Sequence, residues 1–183
     1  MDLSFSKLFR VSDLDMASYR LYQATVDQAR KAVFYEAWGV PDTPVGRFDS
    51  IVLHCFLVLN RLKQDAAATS FARKYSGAIF DDMDRNLREM GVGDLSVGKK
   101  VRKLAEGFYG RSAAYAKALE AGEPHVAETL NRNLYGDNGA CPDTAVINAV
   151  AAYVTASVQA LDAQALDALM AGRVRFALLP GEN

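Results

Sequence analysis

One stretch of the sequence has the spacing of a phosphate-binding loop. Residues 93–100, GDLSVGKK, satisfy the pattern GxxxxGK, but Lys100 stands where a magnesium-binding hydroxyl is needed. The stretch also follows a predicted helix, so its backbone amides lack the buried parallel strand that normally positions them around a phosphate. We therefore predict a glycine-rich turn between two helices here, in preference to a nucleotide site.

Three aspartates, Asp81, Asp82 and Asp84, lie close together in a predicted helix. All-helical enzymes that act on prenyl substrates bind magnesium through aspartates one helical turn apart, and this spacing differs. Asp81 stands four residues before Arg85, and Asp84 stands four before Arg88. We predict a solvated face of ion pairs. An all-α enzyme using magnesium and prenyl substrates stays an alternative, which a divalent cation bound at the aspartates would support.

The histidines and cysteines give no recognisable catalytic group. His54 and Cys55 are neighbours in an apolar helix, where adjacent side chains point about 100° apart and cannot act as base and nucleophile. His54 and His125 could in principle ligate haem, but a lone histidine in an apolar helix is more often a hydrogen-bonded core residue. Cys55 and Cys141 form no disulfide framework and no CxxC metal spacing. We predict no catalytic residue, no metal site and no cofactor.

The segment GKKVRKLAEGFYGR is the most suggestive feature of the chain. Glu106 is the only acidic residue in this segment. Its basic residues are Lys99, Lys100, Arg102, Lys103 and Arg111. Because the apolar side of the same helix should face the core, these charges point outward, towards phosphates, anionic lipid headgroups or an acidic partner. An ordinary solvated face is the alternative. Tyr109 adds an aromatic edge. A nucleic-acid-binding or ribosome-binding module is a further alternative, which the near balance of 21 basic and 22 acidic residues disfavours.

Apolar residues recur with helical spacing along most of the chain. The predicted helices run over about 13–36, 44–63, 65–90, 97–121 with an interruption at Gly110, 123–134, from Asp143 onward, and from Asp162 to about Gly172. Residues 51–59 are apolar on nearly every face, as in a helix surrounded by others. The one strand-like stretch is Val174–Leu179. The predicted fold class is all-α: a single compact bundle of about six to seven helices around a central apolar helix.

The chain length of 183 residues suits one domain, which we place at 13–180. Residues 1–12 form a predicted N-terminal arm, in which apolar and basic residues alternate and could touch a membrane interface. Packing of this arm on the bundle is the alternative. The sequence starts without a secretory signal, and its longest strongly apolar run is far shorter than the about 20 residues that span a bilayer. We expect a cytoplasmic protein that can lie peripherally at the cytoplasmic face of the inner membrane.

Two long segments resemble the bacterial ubiquinol–cytochrome c chaperone family. They are GVPDTPVGRFDSIVLHCFLVLNRL, residues 39–62, and DDMDRNLREMGVGDLSVGKKVRKLAEGFYGR, residues 81–111. A later ETLNRNLYG is similar to the closing helix of the family. The resemblance covers about residues 20–136, well beyond the reach of a single short motif. No comparable signature follows Gly139.

The resemblance implies an assembly factor, not an enzyme, for cytochrome b in the biogenesis of ubiquinol–cytochrome c reductase. Nascent cytochrome b is the implied client, and a small partner protein, the ribosome or an anionic membrane surface are implied further partners, without sequence-specific nucleic acid. An apolar groove is expected to hold the client. The partner-binding candidates are residues of the matching segments that should be exposed: Phe48, Asp49, Arg85, Lys99, Lys100, Arg102, Lys103, Tyr109 and Arg111. For Phe48 and Asp49, packing against the central helix is an equally good interpretation.

Overall fold

The computed structural model describes residues 13–136 and 142–181, which contain no strand. They form six helices of eight residues or more and two single-turn helices: α1 (Asp13–Ala29), α2 (Ala32–Glu36), α3 (Pro44–Leu62), α4 (Thr69–Glu89), α5 (Asp94–Ala121), α6 (Glu123–Leu130), α7 (Thr144–Asp162) and α8 (Leu166–Met170). A 3₁₀ turn at Ala66–Ala68 precedes α4, and a π turn at Asn131–Tyr135 extends α6. The predicted all-α class is confirmed. The predicted N-terminal arm, and Cys141, lie outside the described residues.

Helix α3 is the centre of the bundle, as predicted. Thr43 caps its first turn by accepting a hydrogen bond from the Gly46 amide, and Pro44 stands at a position that has no use for a backbone N–H. A Cβ atom on Gly46 would collide with the Pro41 carbonyl oxygen, so only glycine lets the entry loop pack this closely. Every side chain from Val52 to Leu59 is buried against α1, α5 and α7.

Several helix boundaries differ from the prediction. The helix expected over 13–36 divides into α1 and α2, because Lys31 adopts an extended conformation between them. The expected interruption at Gly110 does not occur, and α5 continues to Ala121. Phe108 and Tyr115, on either side of Gly110, are both buried, and this packing outweighs the roughly 1 kcal/mol that glycine costs inside a helix.

The end of the chain also differs from the prediction. Asp162 closes α7, and the last helix begins only at Leu166. The strand-like residues 174–179 form an extended segment that lies on the bundle without a strand partner in the described part of the chain. Gln164 holds the start of this segment by accepting from the Arg175 amide at 2.8 Å and donating to the Arg175 carbonyl at 2.7 Å.

Helix α7 is the one helix of the described residues that is long and apolar enough to cross a membrane. In the bundle it packs against α3 and α6, and Tyr153 is buried. The Tyr153 hydroxyl donates to Nε2 of His54 at 3.0 Å and accepts from Gln28 at 3.0 Å. Nδ1 of His54 donates to the Ser50 carbonyl at 2.8 Å. Helices α1, α3 and α7 are therefore joined by one closed hydrogen-bond network.

Candidate partner-binding surface on helix α5

Four of the candidate residues, Lys99, Lys100, Arg102 and Lys103, form a basic stripe on the first half of α5. All four are exposed, because the opposite side of the helix, with Val97 and Phe108, packs in the core. Within residues 13–136 and 142–181 none of the four has a carboxylate partner. The stripe is therefore available to an anionic surface.

Phe48, Asp49 and Arg111 come together where α3 meets α5. The Nε atom of Arg111 lies 3.0 Å from Oδ1 of Asp49 as an ion pair without aligned hydrogen-bond geometry, and its guanidinium lies 5.9 Å from the centre of the Phe48 ring. Burial raises the pKa of Asp49 to about 6, against the opposing effect of Arg111. Asp49 is buried rather than exposed, so its position supports the packing interpretation over partner binding.

Tyr109 projects from the middle of α5 and is 58% exposed. Its ring packs against Phe80 and Phe108, with ring centres 5.7 Å and 5.5 Å away. Beside it, a cleft of about 180 Å³ opens between α3, α4 and α5. We call this the aromatic cleft; it is lined by Phe56, Leu59, Lys63, Ala72, Arg73, Ser76, Phe108, Tyr109 and Ser112.

The aromatic cleft combines an apolar floor with a basic rim. Phe56 and Leu59 form part of the floor, and the exposed side chains of Lys63 and Arg73 stand at the edge. The Ser112 hydroxyl is buried and has no hydrogen-bond partner in the described structure. The volume is that of about six water molecules, enough for an apolar side chain beside an acidic group. Lys63 and Arg73 could not be predicted as site residues, because they lie outside the helix of the basic stripe and no local sequence pattern joins them to it.

Arg85, the remaining candidate, contacts α1 instead of α5. It donates to Asp82 at 2.7 Å, and its guanidinium lies 6.0 Å from the centre of the Tyr19 ring. The expected pair with Asp81 is wrong, since Asp82 also accepts from Tyr22 and is thereby held on the α1 side of α4. Eight of the nine candidates therefore lie on α5 or where α5 meets α3, and Arg85 lies apart from them.

The aspartate helix has the ion pairs of a solvated face. Arg88 donates to Asp84 at 2.6 Å, as predicted, and also pairs with Asp94. Asp82 is occupied by Arg85, Tyr22 and Asn86. In the part of the chain that the structure describes, no three histidine, cysteine or acidic residues lie close enough together to hold a metal ion.

The other chemical motifs have structural explanations. The turn predicted over 93–100 is shorter than expected, because α5 begins at Asp94, three residues before the predicted start, and residues 94–100 are helical. The Ser96 and Val97 amides donate to the Gly93 carbonyl as part of this first turn. His54 is fully enclosed, and both of its ring nitrogens have protein partners, which leaves neither for haem iron. Burial raises the pKa of the Cys55 thiol to about 12, so it is not a reactive thiolate.

Comparison with known proteins gives the chain a family. The model of the ubiquinol-cytochrome C chaperone family matches residues 36–176. The chain belongs to this family. The match reaches past Gly139, where the sequence resemblance was expected to end, and it includes α7, which packs on α3 and α6.

Three relatives place this chaperone more closely. A crystal structure of the Cbp3 homolog from Brucella abortus superposes with a TM-score of 0.81 at 34% identity, covering 98% of this chain and all of that one. Ubiquinol-cytochrome-c reductase complex assembly factor 1 of Xenopus laevis is 27% identical over 163 residues, which are 88% of this chain and 80% of the frog protein. The protein of the same name in Mus musculus is 25% identical over 172 residues, 93% of this chain but 58% of the mouse protein.

Proposed function

We propose that this chaperone holds newly made cytochrome b during assembly of ubiquinol–cytochrome c reductase. Its family and the names of its frog and mouse relatives support a role in assembly of that complex. The aromatic cleft is the observation that carries the client-holding part of the proposal. It offers an exposed tyrosine, an apolar floor and two cations where α3, α4 and α5 meet.

The chemistry of the cleft suits a segment of a membrane protein that has not yet been inserted. An apolar side chain of the client enters the floor and is removed from water. An acidic client group pairs with Lys63 or Arg73, both free of carboxylate partners within the described residues. Such a contact is exposed to solvent at its edge, so it is weak enough to be released when the client is passed on.

The basic stripe serves a second contact, with an anionic membrane surface or the ribosome. We place the chaperone at the cytoplasmic face of the inner membrane, where cytochrome b is inserted. A small partner protein can bind the remaining surface. Holding a client at its site of insertion needs no catalytic group.

The experiment is to purify a tagged form of the chaperone from mildly solubilised cells and probe the eluate for cytochrome b and b-type haem absorbance. Cytochrome b is expected in the wild-type eluate. Charge reversal at the cleft rim, Lys63→Glu with Arg73→Glu, should lower its recovery about tenfold, the effect of losing about 1.4 kcal/mol of binding. The matched control is Arg173→Glu with Arg175→Glu, an exposed pair outside the cleft.

Two results would contradict the proposal. One is a wild-type eluate that contains ribosomes, nucleic acid or a metabolite but no subunit of the reductase. The other is equal loss of cytochrome b in the cleft variant and in the control, which would assign the interaction to overall charge rather than to the cleft.

A further inference from the structure

The turn between α4 and α5 presents two large apolar side chains to solvent. Met90 is 65% exposed and Leu95 is completely exposed. The sequence pattern places Met90 at the end of the apolar line of α4, but α4 ends at Glu89 and Met90 falls outside the core. Exposed aliphatic groups of this size are costly in water and indicate a contact when they cluster.

The backbone of this turn is held in place. The Val92 amide donates to the Leu87 carbonyl at 3.0 Å, and the Gly91 amide donates to the Arg88 carbonyl at 2.9 Å. Gly91 has a φ of 82°, which favours glycine, and this arrangement is a common way to end a helix. The exposure of Met90 and Leu95 therefore follows from a defined turn.

The apolar tip leads directly into the basic stripe. Leu95 lies one helical turn before Lys99 and two turns before Arg102, on the same outward face of α5. Long basic side chains can extend from such a face to reach charged groups while their methylenes stay near apolar surface. Leu95 and the basic stripe thus lie on one side of α5, and Met90 lies in the turn that leads into this helix.

The acidic groups around this surface are few and partly neutralised. Asp84 on α4 and Asp94 at the start of α5 both pair with Arg88. Glu89 lies at the end of α4, and farther back on α4 Asp82 pairs with Arg85 while Asp81 is exposed. On α5 the four cations of the stripe stand against only Asp94 and Glu106, so the positive charge is concentrated on the first half of α5.

We propose that the α4–α5 turn inserts into the interface of an anionic phospholipid bilayer. Met90 and Leu95 enter the boundary between headgroups and acyl chains, and the basic stripe binds the headgroup phosphates. A nucleic acid would use the cations but offers no site for the aliphatic tip. This step goes beyond the proposed client function and does not require it, because it can be tested on the purified chain.

The test is co-sedimentation of the purified chain with vesicles of phosphatidylcholine, with and without phosphatidylglycerol. Binding is expected only with the anionic lipid and should fall as salt is raised. Leu95→Asp and Met90→Asp should each lower the partition coefficient about tenfold, since each removes the burial of one large aliphatic side chain. Reversing all four charges of the stripe should lower it at least about a hundredfold.

The matched control is Leu178→Asp, because Leu178 is 72% exposed but lies in the extended C-terminal segment. It should bind vesicles like the wild type. All substituted side chains are exposed, and an unchanged helical circular dichroism signal checks that each variant folds.

Leu95→Trp gives a direct readout of insertion. Its emission should shift to the blue on anionic vesicles and be quenched by brominated lipid, over the constant signal of buried Trp38. Equal vesicle binding by Leu95→Asp and Leu178→Asp would overturn the proposal, as would an emission from the introduced tryptophan that does not respond to lipid. So would tight RNA binding that depends on the stripe, combined with no vesicle binding.

Discussion

The two sides of α3 differ in how completely their buried polar groups are hydrogen-bonded. Towards α1 and α7, His54, Tyr153 and Gln28 satisfy one another, and Ser50 donates to the Ala29 carbonyl at 2.9 Å. On the side that faces α5, four residues each have a buried side-chain polar atom without a hydrogen-bond partner in the described structure: Asp49, Arg111, Ser112 and Tyr115.

The difference separates structural stability from binding. The closed side excludes water and satisfies its polar groups, which is the arrangement of a stable core. The open side keeps an ion pair without hydrogen-bond alignment, an unpartnered hydroxyl and an exposed tyrosine beside a cleft. Buried polar groups without a hydrogen-bond partner cost stability, so the first side is expected to contribute more to stability than the second. The client contact that we propose lies on the second side, at the aromatic cleft.

The largest expected effect is on the closed side. His54→Ala removes a fully buried ring that contacts Phe34 and Phe176, together with the hydrogen bond that the Tyr153 hydroxyl donates to it. It should lower the free energy of unfolding by about 3 kcal/mol, measured by urea denaturation at neutral pH. The control is His125→Ala, an exposed histidine whose loss should change little. Equal effects of the two substitutions would contradict the structural role of the His54 network.

A smaller effect, of opposite sign, is expected at Asp49. Its folded pKa is raised from 3.8 to about 6, so the stability it contributes is present below pH 3.8 and is lost as the pH rises through 6. Asp49→Asn stays neutral, so its stability relative to the wild type should rise by about 2 kcal/mol as the pH is raised from 4 to 7. Arg111 is partly exposed, although its Nε atom, which faces Asp49, is buried. A variant less stable than wild type at pH 7 would show that the ion pair outweighs the burial cost.

The pKa of His54 is shifted in the opposite direction from that of Asp49, and His54 is present in both the wild type and the Asp49→Asn variant. Burial lowers its pKa from 6.5 to about 4, so its contribution is present above pH 6.5 and is lost as the pH falls through 4. The difference between Asp49→Asn and wild type therefore isolates the carboxyl group.

The smallest expected effects come from a matched pair of serines. Ser50→Ala removes a buried hydrogen bond to Ala29 and should cost about 1 kcal/mol of unfolding free energy. Ser112→Ala removes a hydroxyl with no partner among the described residues and should be neutral or slightly stabilising. Thermal melting of the two variants side by side measures the contrast directly. A similar loss at both positions would mean that the α5 side is satisfied after all.

Much of the fold could be predicted because its signals are local. Thr43 and Pro44 mark the start of α3, and the apolar run over 51–59 indicates its central place. The predicted end of α4 at about residue 90 agrees with the structure to within one residue, because Gly91 and its hydrogen bonds end the helix directly after Met90.

The site could be predicted only in part, for a similar reason. The basic stripe lies within two turns of one helix, so its pattern is visible in the sequence. The aromatic cleft joins Lys63, Arg73 and Tyr109, which come from the end of α3, from α4 and from α5. Their proximity depends on how three helices pack, and residue spacing along the chain does not encode it.

The most direct test of the chaperone account is photocrosslinking in living cells at Tyr109, with Leu178 as the control position. A photoreactive phenylalanine derivative at 109 should crosslink to cytochrome b while that protein is being made, and the same derivative at 178 should not. Crosslinks to cytochrome b from position 178 alone, or none to any subunit of the reductase from position 109, would contradict the assignment of client contact to the open side of α3.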